Sequence, residues 1–201
     1  MRIMFLDTPR RPPRSASALI LLASVWLAVF GNIALWRSLS QLPDLSGWHG
    51  LLFGGAFALI IACATTALLS LLAWRWTLKP AISLLLLLAA FATYYMLMYG
   101  IVVDTPMVIN VFQTDPREAR DQLSWRLGGT VLLLAVLPML WLWRQPVVSV
   151  SLGKQVMRNV LLCVGALIVT LGTTQLVFQD FASLMRNHTQ MRYQINPLNS
   201  V

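Results

Sequence analysis

The sequence predicts an all-α integral membrane protein: five transmembrane helices, N-in/C-out, with short periplasmic interfacial helices between spans three and four. Composition, charge-free apolar runs and the placement of basic residues carry that expectation. Of 201 residues, 58% are hydrophobic and 11% charged, and the mean hydropathy is +0.71. A soluble globular domain carries about 25% charged residues. The formal charge of +8, from 15 Lys+Arg against 7 Asp+Glu, would suggest a nucleic-acid partner in a soluble protein. Here its meaning depends on where the charges fall.

A helix crossing about 30 Å of hydrocarbon needs roughly 20 apolar residues. Stretches lacking Asp, Glu, Lys and Arg run over residues 17–36, 50–74, 81–99, 127–143 and 160–178. The first follows Arg10, Arg11 and Arg14, as a secretory signal would. Its apolar run is too long for a signal core of about 7–15 residues, and no small-x-small cleavage site follows before Arg37, so it reads as a retained anchor. In the fourth span Pro138 predicts a kink or an early exit. Gly50-x-x-x-Gly54 in the second is compatible with a close helix crossing.

With the N-terminus inside, the inner segments hold Arg2, Arg10, Arg11, Arg14, Arg75, Lys79, Arg144, Lys154 and Arg158 against the single acid Asp7. The outer segments hold Arg37, Arg117, Arg120, Arg126, Arg186 and Arg192, balanced by Asp44, Asp104, Asp115, Glu118, Asp121 and Asp180. The whole excess lies on one side, as the positive-inside rule requires of a five-span protein, and no nucleic-acid partner is implied. Tryptophan agrees. Trp36, Trp48, Trp74, Trp76, Trp125, Trp141 and Trp143 fall at span ends, where an indole keeps its N–H wet, and Trp26 lies mid-span.

No span contains an ionisable group of the kind that proton relays and ion-coupled transporters need. Thr65, Thr66, Ser70, Thr93, Thr170, Thr173, Thr174 and Asn32 are explained by hydrogen bonding between helices. Cys63 and Cys163 behave as small hydrophobes, and with His49 and His188 they offer no metal-ligand spacing. Function is therefore sought outside the bilayer. The longest connection there is residues 100–126, well beyond a simple link. Asp104 or Thr105 before Pro106, and Asp115-Pro116-Arg117-Glu118, are helix-start signals predicting two surface helices over 106–113 and 116–124. Asn110, Thr114 and Glu118 follow one another at intervals of four, which would align them on one helix face. Pro116 interrupts that face, and a capping box closed by Glu118 explains the same spacing.

Tyr99-Gly100, Asp104, Met107, Asn110, Gln113-Thr114 and Glu118-Ala119 resemble the motif of the lipid A phosphoethanolamine transferases, a family that includes the mobile colistin-resistance enzymes. Arg186-Asn187-His188, Arg192-Tyr193 and Ile195-Asn196-Pro197 resemble the stretch leaving that family's fifth span. The resemblance implies a five-span domain in the bacterial inner membrane, followed by a periplasmic, zinc-dependent catalytic domain of alkaline-phosphatase-like fold. There a threonine takes phosphoethanolamine from phosphatidylethanolamine and passes it to lipid A, the lipopolysaccharide modification behind polymyxin and colistin resistance.

Carried over position by position, Asn110, Thr114 and Glu118 would line the donor headgroup site, with Tyr99 nearby. Glu118 suits the ethanolamine ammonium, and Asn110 and Thr114 suit phosphate or ester oxygens. The expected organisation is a basic cytoplasmic segment over 1–16, a membrane domain over 17–185 with its periplasmic loop at 100–126, and a connector over 186–201 toward a catalytic domain expected to be absent. No catalytic residue and no zinc site is expected within this chain, which by itself is expected to be inactive. The competing expectation is a non-enzymatic membrane scaffold or assembly factor whose periplasmic loop binds a protein.

Overall fold

A computed structural model describes residues 13–42, 47–100, 124–148 and 150–179, together with 182, 186 and 195. Six helices result: α1 (Ala16–Val29), α2 (Ile33–Ser40), α3 (Gly47–Leu71), α4 (Leu78–Tyr99), α5 (Trp125–Trp143) and α6 (Leu152–Leu176). The last four are each long and apolar enough to cross a membrane, and α1 with α2, bent by 44°, makes the fifth span. The architecture is the all-α, five-span one predicted.

α4 is the central helix: 11 of its 22 residues are buried, against 8 of 25 in α3 and 2 of 25 in α6. Its leucine run, Leu84–Leu88, is followed by the small residues Ala89, Ala90 and Ala92, which let neighbours approach closely. One core joins Leu19, Leu27, Leu69, Leu86, Ala89 and Ala135 across α1, α3, α4 and α5. A second joins Leu35 and Leu39 of α2 to Phe53, Phe57 and Ile61 of α3, and Ile195 packs against it. α6 lies at the periphery against α3, its side chains mostly exposed to what is lipid in a bilayer.

The first span breaks over Phe30–Asn32, and side chains take up the freed carbonyls, as hydrocarbon demands. Asn32 Nδ2 donates to Leu27 O at 2.9 Å, and Trp36 Nε1 donates to Ala28 O and Val29 O at 3.1 and 3.0 Å. Thr93 Oγ1 of α4 donates to Gly31 O at 2.8 Å. Only glycine fits at 31, because a Cβ there would lie 2.6 Å from Leu27 O and 3.3 Å from Ala89 Cβ. This is the bundle's close approach. At Gly54 a Cβ would meet Leu39 Cδ2 at an ordinary 3.9 Å, so Gly54 itself makes no comparably close contact.

Pro138 does not end α5. The helix widens to a π turn over Leu132–Val136 and resumes to Trp143. Proline has no N–H, so the carbonyl four residues earlier loses its helical donor. That carbonyl belongs to Leu134, and Trp26 Nε1 donates to it at 3.2 Å. The one mid-span tryptophan thus serves a neighbouring helix's backbone. Among the intramembrane hydroxyls, Thr65, Ser70, Thr170 and Thr174 donate to carbonyls of their own helices, while Thr93 crosses to another. The expectation of helix-to-helix bonding thus holds for Thr93, and the others follow the short-range geometry that helical Ser and Thr favour.

Two boundaries differ from expectation. α6 begins at Leu152 rather than near residue 160, because Lys154 and Arg158, which ended the apolar run, sit in its first turns with exposed side chains. Gln155 and Asn159 of those turns donate to Ala73 O at 2.9 and 3.1 Å, tying α6 to the end of α3. Ser124, expected to end a surface helix, is extended and instead caps α5. The remainder of the two predicted surface helices, residues 106–123, lies outside the described residues.

Candidate functional site

The ends of α4 and α5 that flank residues 101–123 meet in a cavity of about 500 Å³ lined by Tyr94, Met98, Tyr99, Ser124, Trp125 and Arg126. α4 stops there because Gly100 adopts the left-handed conformation (φ 62°), which glycine takes without strain, and its N–H returns to Met96 O. α5 starts there because Ser124 is an N-cap, its Oγ accepting from Leu127 N at 3.2 Å. The same Oγ lies 2.7 Å from the Tyr94 hydroxyl. This bond between residues 30 apart holds both ends of the intervening segment in register.

Tyr94, Met98 and Tyr99 form the α4 wall, and Tyr95 packs against both tyrosines. Tyr95 and Tyr99, one turn apart, stack with centroids 5.8 Å apart, and Tyr94 meets them edge-on at 5.3 and 6.2 Å. Tyr99 is half-exposed at the rim and Tyr94 is buried. Such faces attract a cation through their quadrupoles. Opposite them stand Trp125, 96% exposed and so free to meet a lipid surface, and Arg126. A guanidinium pairs with phosphate through several parallel donors. A second, apolar cavity of about 410 Å³ shares Ser124 and Trp125 and continues along Phe91, Leu127, Gly128 and Val131 toward mid-bilayer. Together they make a polar mouth over an apolar annex, which matches a phospholipid headgroup and the start of its acyl chains.

Of the residues expected to form the site, Tyr99 is at the cavity rim. Asn110, Thr114 and Glu118 lie outside the described residues, in the segment whose two ends the Tyr94–Ser124 bond fixes. Tyr94, Ser124 and Arg126 were not anticipated. Ser124 before an apolar run was a legible N-cap signal, while Trp125 read only as a span-end tryptophan and Arg126 only as one of the outer charges. Among the described residues no three His, Cys, Asp or Glu side chains converge, so they supply no donor set for zinc. Cys63 and Cys163 are free thiols.

Residues 61–201, which include both walls of this cavity, match the family described as phosphoethanolamine transferase EptA/EptB. The chain belongs to that family. It is 28% identical over 196 residues to phosphoethanolamine transferase EptA of Escherichia coli strain K12, covering 96% of this chain and 35% of the relative. It is 33% identical over 188 residues to phosphatidylethanolamine transferase Mcr-1 of Escherichia coli, covering 92% and 34%. The chain thus spans about a third of the length of the curated relatives it matches. Its fold is that of the integral membrane lipooligosaccharide phosphoethanolamine transferase A from Neisseria meningitidis, with a TM-score of 0.85 at 24% identity over 94% of this chain and 35% of that one. Membership of the EptA/EptB family leaves the scaffold reading without support.

Proposed function

We propose that this chain is the membrane domain of a phosphoethanolamine transferase of the bacterial inner membrane, its N-terminus cytoplasmic, and that it holds phosphatidylethanolamine for transfer of the headgroup to lipid A. The observation that carries this reading is the two-part cavity between α4 and α5, polar at its mouth and apolar within. Arg126 pairs with the donor's phosphate, and Asn110 and Thr114 donate hydrogen bonds to its remaining oxygens. Glu118 and the tyrosine faces, Tyr99 outermost, hold the ammonium. Trp125 and the annex orient the lipid by its chains. The group-transfer step belongs, on this reading, to a zinc-dependent periplasmic domain of the kind the family resemblance implies, with residues 186–201 as the connector.

Retention of phosphatidylethanolamine by the purified chain tests the site. Glu118→Ala and Arg126→Gln each remove a charge-assisted contact and are expected to lower retention about tenfold, with helix content and membrane insertion unchanged. Wild-type retention in both variants would overturn the assignment. In a complete transferase carrying this membrane domain, Glu118→Ala is expected to suppress lipid A modification to the same degree or more.

A further inference from the structure

A second lipid-shaped feature lies toward the other ends of α4 and α5. α1, α4 and α5 enclose an apolar groove of about 790 Å³ whose walls include Leu22, Ala23, Ile82, Leu86, Leu133 and Leu137. It runs from Arg14, just before α1, to Phe30, just after it. At 1.5 Å per helical residue the 14 residues of α1 alone cover about 21 Å, more than the roughly 15 Å of one leaflet's hydrocarbon. The groove is open along one side, where Leu22, Leu133 and Leu137 are each 45–59% exposed.

What distinguishes it from an ordinary lipid-facing surface is its charged end. Arg14 N donates to Pro146 O at 2.9 Å and Arg14 O accepts from Val148 N at 3.0 Å, so its backbone is clamped to the segment after α5. Its guanidinium lies over the Trp141 ring, 5.2 Å from the centroid, at the groove's mouth. None of the described residues is acidic, and Asp7, the acid the sequence puts at this end, lies outside them. Lys79, the next cation, already donates to Trp143 O and Gln145 O. Arg75, Arg144, Lys154 and Arg158 adjoin the same helix ends and add to a positive field.

We infer that this groove is a binding site for an anionic glycerophospholipid of the leaflet at the cation-rich end, one acyl chain lying along α1 and the phosphate pairing with Arg14. Two features favour a net anionic lipid over a zwitterionic one. The guanidinium stands over the Trp141 ring at the groove's mouth, and each neighbouring cation near the surface adds attraction for net negative charge. The site is separate from the α4–α5 cavity and does not depend on the donor-lipid reading.

The test is native mass spectrometry of the detergent-purified full chain equilibrated with equal amounts of phosphatidylglycerol and phosphatidylcholine of the same acyl composition. The wild type is expected to retain phosphatidylglycerol about fivefold over phosphatidylcholine, and Arg14→Gln is expected to bring that ratio near one while Arg14→Lys keeps most of it. Arg37→Gln, at the other end of the first span, is expected to leave the ratio unchanged. Ala23→Phe fills the groove without altering charge and is expected to reduce retention of both lipids. Equal retention of the two lipids by the wild type, or a wild-type ratio in Arg14→Gln, would overturn the inference. So would undiminished retention in Ala23→Phe.

Discussion

The first and fourth spans are both interrupted inside the membrane, and they meet the interruption differently. In α5 a single N–H is missing, at Pro138. One turn widens, one indole from another helix serves the Leu134 carbonyl, and the helix continues to Trp143. In the first span no proline intervenes, yet the chain bends by 44° between α1 and α2, and Asn32, Trp36 and Thr93 supply donors to four carbonyls. The size of the break follows the number of carbonyls for which side-chain donors are in place. It does not follow the presence of a helix-breaking residue. In both spans a neighbouring helix contributes: Trp26 of the first serves the fourth, and Thr93 of the third serves the first.

Gly31→Ala tests the first span most severely. The added Cβ would sit 2.6 Å from Leu27 O, an atom of the backbone that can move only if the bend opens. Overpacking of this kind costs about 1–3 kcal/mol. Thermal unfolding followed by circular dichroism in detergent should show the largest loss of any single substitution in this region, and an unchanged midpoint would mean that the bend between α1 and α2 opens freely to admit the added Cβ.

Thr93→Val should cost less, about 1 kcal/mol, since interhelical hydrogen bonds in membranes average about 0.6 and reach about 1.7 kcal/mol. Its neighbour Tyr94 holds Ser124 on another side of α4, so the two adjacent residues separate fold from site. Thr93→Val should lower the unfolding midpoint with phosphatidylethanolamine retention kept. Tyr94→Phe should do the reverse, releasing the α5 cap from the tyrosine wall. A retention loss in both variants or in neither would show that the bend and the cavity are one unit.

Much of this was legible in the sequence, for identifiable reasons. Charge-free runs marked five spans because burying an unpaired charge in hydrocarbon is costly, and the same logic misplaced the start of α6, where Lys154 and Arg158 reach outward from a helix that continues beneath them. The break at Phe30–Asn32 left no such trace. Its causes are contacts: Thr93 lies 62 residues from Gly31, and Trp36 donates across the joint to Ala28 and Val29. At the candidate site, Tyr99 entered through a family resemblance. Tyr94 and Ser124 escaped because an ordinary aromatic and an ordinary N-cap become a clamp only when the fold brings them 2.7 Å apart.

The smallest effect is the sharpest test of the fourth span. Trp26→Phe keeps the aromatic contact region against Phe30 but removes the indole donor to Leu134 O, and should cost about 0.6 kcal/mol by the average above. Pro138→Ala restores a backbone N–H that can serve the same stretch of carbonyls, so the indole donor becomes redundant in that background. The cost of Trp26→Phe should then shrink toward zero, and the double-mutant cycle should report a coupling close to the whole single-mutant effect. Strict additivity would mean that the Trp26 bond and the Pro138 vacancy are unrelated. The π turn would then stand as a property of α5 alone, and the likeness between the two interrupted spans would fail at its second member.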